Sequence, residues 1–240
     1  MDKILIIVQV AGGIGLFLLG MIVMTDGLRA LAGHAMRAVL MRFTKSPLSG
    51  ALTGAISTIS VALFSHVNAI LGDTERGARA DLDELQSALN DTHAYVDRIK
   101  PKSSEGAEWE RLLNMFHTLN HLQRLHERCE EDEERAITAK DTEELAEECG
   151  LLINSIRSIV EDIEVNNWLK AAEKAKDTAA KIHVKVRPYR RNVIAGIANG
   201  TYDVYAGTGK LEAIRWLRRV SRHVERITEH VELSVLAGGK

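Results

Sequence analysis

The chain is poor in aromatic residues, at 5% of its length, and it carries only three prolines and two cysteines in 240 residues. So few turn formers and aromatic pairs exclude a sandwich or barrel and point to helices. Cys129 and Cys149 lie in charged helical sequence without metal-motif spacing. They read as buried or free thiols in a reducing compartment, not as a disulfide framework. No strand pattern, phosphate loop or nucleophile elbow is present, so neither an enzyme nor a cofactor is expected. Gly207-Thr208-Gly209-Lys210 lacks the Walker spacing and a preceding strand, and it reads as a helix-connecting turn. Charge is almost absent before Asp73 outside one basic connector and dense after it. The net charge of −2 therefore hides two differently composed parts.

Residues 1–72 read as a membrane part and 73–240 as a helical domain. Ile4 to Met24 is uncharged and meets the roughly 20 residues needed to cross a bilayer. A signal peptide has a shorter apolar run and a small-residue cleavage site, so a retained helix is expected. Gly12, Gly13, Gly15 and Gly20 would let a second helix approach its backbone, in the bilayer or in a copy of this chain. Residues 28–43 interleave Arg29, Arg37 and Arg42 with Leu31, Met36, Val39 and Leu40. This is an amphipathic connector on the cytoplasmic face, where basic segments stay. Residues 48–71 are uncharged and rich in Ser, Thr and Gly, and they read as a second span or a re-entrant hairpin. A span would place the following domain opposite the connector; a hairpin would keep both cytoplasmic. His66 is the one ionisable group there, costly in lipid and so a weak functional candidate.

After Asp73 every apolar pattern has a helical period. Leu82, Leu85, Leu89, Val96 and Ile99 mark a helix closed by Pro101, and Leu112, Phe116, Leu119, Leu122 and Leu125 a second. Leu145, Cys149, Leu152, Ile156, Ile159 and Ile163 keep alternating spacings of four and three, a coiled-coil seam. Leu169 to Val193 continues through Pro188, where a kink is expected. Leu211, Ile214, Leu217, Val220, Val224, Ile227 and Val231 mark the last. About five amphipathic helices predict an all-α antiparallel bundle. Within it "LQRLHER" from Leu122 is echoed by "LRRVSRH" from Leu217, the trace of a duplicated helical unit.

"GGIGLFLLGMIVMTDGLRALAG", "SPLSGALTGAIST" and the tail "LEAIRWLRRVSRHVERITEHV" together resemble bacterial sodium/phosphate cotransporters with a C-terminal PhoU-like domain. The resemblance covers both ends of the chain without the usual middle. Family members carry two inverted repeats, each with a Gln-Ser-Ser-Ser hairpin whose polar groups coordinate sodium and phosphate. Here the first hairpin aligns with "TGAISTISVALF", where Ser57, Thr58 and Ser60 are the nearest remnants, and the second repeat is missing. In the PhoU-like half, the acidic metal-binding positions become Gln123 and Glu127 in one copy and Arg218 and Arg222 in the other. Guanidinium groups only donate, so no family-type metal cluster is expected.

The resemblance implies a protein of the bacterial inner membrane with its helical domain in the cytoplasm. Its expected role is accessory or regulatory in phosphate transport or homeostasis, with a phosphate transporter, a sensor or itself as partner. Phosphate and sodium are possible ligands by the same resemblance, and nucleic acid is not expected. Two other readings stand: an oligomer that transports phosphate with sodium, and a structural or signalling anchored bundle forming an elongated parallel dimer.

Two constellations remain. Arg215, Arg218, Arg219, Arg222 and Arg226 form one helical stripe, suited to an anion or acidic partner. It competes with simple pairing against the acidic run Cys129 to Glu134. His117 and His121 stand one turn apart, with His126 and Cys129 beyond. No third ligand completes a zinc motif there, so polar surface histidines are expected.

Overall fold

The computed structural model describes residues 47–72, 79–100, 105–130 and 133–238. The glycines at 12, 13, 15 and 20, the apolar run 4–24 and the connector 28–43 lie outside the described residues. Seven α-helices make up the described part: α1 Pro47–Leu71, α2 Leu82–Val96, α3 Ala107–Glu130, α4 Glu133–Asp141, α5 Ala146–Glu164, α6 Trp168–Ala198 and α7 Val204–Gly238. A single 3-10 turn, Glu143–Leu145, precedes α5, and no strand occurs among the described residues.

The helices begin and end for local reasons. The Asp81 carboxylate accepts from the amides of Asp83 and Glu84, capping α2, and Asn167 accepts from Lys170 at the start of α6. Pro188 does not end α6, which runs on to Ala198. The carbonyl at Val184 that the proline leaves without an amide lies on an exposed part of the helix, where water can satisfy it. At the α6–α7 turn Gly200 takes φ +77. A Cβ on Gly207 would stand 2.4 Å from the Ile197 side chain. Only a residue without a side chain lets α7 start so close to the end of α6. Gly207 to Lys210 thus lie inside the first turns of α7. The connecting turn expected there falls at residues 199–203 instead.

The long helices alternate in direction. Asn114, His121 and Arg128 of α3 meet His230, His223 and Trp216 of α7 in descending order. Ser155 and Asp162 of α5 meet Thr178 and Lys174 of α6 in the same sense. The core is a contiguous set of Leu, Ile, Val and Ala at the spacings read from sequence. Leu119, Leu122, Leu125, Ile159, Ile182, Leu217, Val220 and Ile227 are all fully buried. The short α4 has no apolar stripe long enough to be read from sequence; it buries only Ala136 and Ala139, and Arg135 ties it to Glu212 of α7 at 2.7 Å.

The described residues belong to one compact unit, Ser46–Lys240. Within it, residues on both sides of position 72 pack together. α1 packs against α2, α3, α4 and α5 through Leu52, Ile56, Ile59, Leu63, Phe64 and Val67. α1 is one unbroken helix of 25 residues, so the re-entrant hairpin weighed for 48–71 does not form. Residues Leu52–Leu71 are long and apolar enough to cross a membrane, and more than half of that stretch is buried within the unit. An uncharged run suits the centre of a helical bundle as well as it suits lipid.

Candidate functional site

The serines and threonine aligned with the hairpin signature lie in the middle of α1. Each returns its hydroxyl to its own helix. Ser57 donates to the Thr53 carbonyl at 2.8 Å, Thr58 to Gly54 at 3.0 Å and Ser60 to Ile56 at 2.7 Å. Such back-bonding satisfies the hydroxyl proton within the helix, and no backbone group is freed for an ion. Ser60 is fully buried, Ser57 half-buried and Thr58 exposed, so the three do not share one face.

The arginine stripe of α7 is divided by its pairing. Arg215 lies 3.7 Å from Glu212, Arg222 2.9 Å from Glu225, and Arg226 pairs with Glu229, each across one turn of the same helix. From the acidic run, Glu133 binds Arg79 at 2.7 Å and Glu130 stands 3.7 Å from His126. Arg218 has no carboxylate within ion-pair distance among the described residues. It faces an open groove between α6 and α7.

Two adjoining cavities make this groove, of about 670 and 680 Å³, and His183 and Arg218 line both. Lys176, Arg219, Arg222 and His223 surround the first, over a floor of Ala179 and Ala180. Arg187, Arg190 and Arg191 surround the second. The sequence reading did not include these three arginines, although a signal exists. Between Asp177 and Asp203 the chain has five Lys and Arg residues and no carboxylate. Lys181 and Lys185 pair with Asp177 and with buried Glu148. Arg187, Arg190 and Arg191 have no acidic partner among the described residues.

A second cluster lies on the other side of α7. His117 stacks on His230 with centroids 5.0 Å apart, and His121 stacks on His230 at 5.8 Å. The Nδ1 atoms of His121 and His223 are 3.2 Å apart, so one neutral imidazole donates and the other accepts. Burial, with positive neighbours behind it, lowers both of these histidines to about 4. His126 does not join them; it is buried and donates from Nε2 to the Leu82 carbonyl at 2.7 Å. The expectation of polar surface histidines therefore fails for buried His126 and for half-buried His121, to which antiparallel α7 returns His223 and His230. Among the described residues no group of three or more His, Cys, Asp or Glu is arranged to hold a metal ion. Burial also pushes the Cys129 thiol up to about 12 and Cys149 to about 11, which keeps both as unreactive thiols.

The Na+/Pi-cotransporter family model matches residues 16–71. The match ends with the last residue of α1, and it covers less than half of the chain. It supports the sodium/phosphate cotransporter family, whose members are transporters and not enzymes. Among the described residues, α1 alone is long and apolar enough to cross a membrane. No curated protein and no solved structure matches the chain.

Proposed function

We propose that this chain is an accessory or regulatory protein of phosphate transport and does not carry phosphate alone. The observation that carries this reading is the state of α1. The family match ends there, and the helix is unbroken, buried in a bundle, with Ser57, Thr58 and Ser60 bonded back to it. Coordinating sodium and phosphate in a membrane needs broken helices that offer free backbone groups from two facing repeats. α1 offers none.

In this reading residues 4–24 anchor the chain in the bacterial inner membrane, with Gly12, Gly13, Gly15 and Gly20 packing against a partner helix. α1 serves as a core helix of a cytoplasmic unit. The two buried thiols accord with a reducing compartment. A PhoU-like identity for that unit is supported by its antiparallel helices and by the echo of 122–128 in 217–223, which lie side by side on α3 and α7. The partner is a phosphate transporter or sensor.

The test is sodium-dependent phosphate uptake in cells lacking their own transporters. Cells making the membrane-located chain alone should take up no more phosphate than empty cells. Co-expression with a host transporter should change that transporter's uptake. Sodium-dependent uptake through the chain alone would overturn the proposal.

A further inference from the structure

We infer that the groove between α6 and α7 binds a linear polyanion carrying several phosphate groups, laid along α6. The inference goes beyond the role in transport and does not depend on it.

The first ground is a set of arginine charges that no carboxylate among the described residues pairs. Arg187, Arg190, Arg191 and Arg218 surround one cavity without a carboxylate partner among the described residues, and Glu225, the acid in the neighbouring cavity, is held by Arg222. Guanidinium groups keep their charge at every physiological pH, so an anion entering the groove is attracted by all four at once. A concave wall concentrates the field further. The contrast with Arg215, Arg222 and Arg226 is direct, because those three have glutamate partners one turn away.

The second ground is geometry. Lys176, His183, Arg187 and Arg190 follow the groove along α6 over roughly 21 Å, at about 1.5 Å per residue. A single orthophosphate fills two or three donors and would leave much of the groove's Lys and Arg charge unneutralised. A chain of phosphates can reach from Lys176 to Arg187 and Arg190, which a single ion cannot. Planar headgroups at a bilayer would meet a flat or convex face better than a groove between two helices. No Phe, Tyr or Trp lines either cavity, so the large aromatic platforms that single-stranded nucleic acid favours for its bases are missing there.

The full chain in detergent should be titrated with medium-length inorganic polyphosphate at about 0.1 M salt, where exposed charges act over about 10 Å. Binding is expected, and it should weaken as salt rises. Replacing Arg187, Arg190 and Arg218 together by Gln should cost at least about tenfold in affinity, as loss of several charge-assisted bonds requires. Arg79→Gln removes one charge beyond the groove and should change affinity by less than about twofold. Circular dichroism checks the fold; should the triple variant unfold, Arg190→Gln alone, at an exposed site, should weaken binding about threefold. Competition separates the sources of phosphate chemistry: orthophosphate, homopolymeric RNA and anionic lipid vesicles should each displace polyphosphate poorly. The inference is overturned if polyphosphate does not bind, if Arg79→Gln costs as much as the groove variants, or if RNA or vesicles bind more tightly. A failure here leaves the uptake result untouched, and the reverse holds.

Discussion

α7 separates two kinds of basic side chain by the neighbour each faces. Toward α3 it presents His223 and His230, packed on His117 and His121; toward α6 it presents Arg218 across an open groove. An imidazole can shed its proton when buried, at modest cost, so histidines can build part of an interface. A guanidinium cannot, so each arginine of α7 either finds a glutamate or stays in water. His223 stands at the border, touching His121 and also lining the first cavity. The chemistry of the side chain thus sorts a packing face from a binding face on one helix.

The most severe way to break the packing side is to remove its largest side chain. Trp216 is 1% exposed and donates from Nε1 to the Arg128 carbonyl at 3.1 Å. Trp216→Ala should lower stability by about 3–5 kcal/mol, read from urea unfolding. A smaller loss is expected from acid. The unfolded chain binds protons on these histidines near pH 6.5, whereas folded His121 and His223 do so only near 4. Stability should therefore be complete above about pH 6.5 and fall as pH drops from there toward 4. The groups facing the pair oppose its protonation: His117 and Arg124 and Arg128 from α3, His230, Arg219, Arg222 and Arg226 from α7. Replacing both histidines by Asn should flatten urea midpoints measured across that window. An unchanged slope would show that other groups carry it.

The groove side can be sharpened through the turn that sets it. Gly207→Ala would push a methyl into Ile197 and should cost about 1–3 kcal/mol. Ile197→Ala in the same chain should recover part of that loss, since it empties the contested space. The least effect belongs to the paired arginines. Arg226→Gln removes an ion pair to Glu229 across one turn and should move the thermal midpoint only by what about 0.5 kcal/mol allows.

Much of the helical frame could be read directly. The apolar periods at Leu112 to Leu125, Leu145 to Ile163 and Leu211 to Val231 lie inside α3, α5 with the turn that leads into it, and α7, and the residues named there are mostly buried. Phe116 is an exception, exposed although it keeps the period. A stripe gives the mean direction of a face, and its edge residues depend on which neighbour arrives. α4 is not legible as a helix because two alanines are its whole buried face. For α1 the composition was plain and its surroundings were not, since an apolar helix suits a bilayer and a bundle centre equally.

The candidate site was legible in part. The stripe on α7 followed from its spacing, but its division into paired and unpaired arginines did not. On α6, five cations without a carboxylate between Asp177 and Asp203 are a composition signal that spacing alone does not reveal. Three of the five, Arg187, Arg190 and Arg191, line the groove, because Lys181 and Lys185 find carboxylates elsewhere.

What the sequence determined by itself is the helical class, the register of each buried stripe and the kinds of charge available. These are local properties, set by periods of a few residues and by caps such as Asp81. Only the tertiary structure decided that α1 packs inside the unit, that four histidines meet across α3 and α7, and that Arg187, Arg190 and Arg191 share a groove with Arg218. Those facts join residues as far as 113 positions apart on antiparallel helices, and no local period records which helix lies beside which.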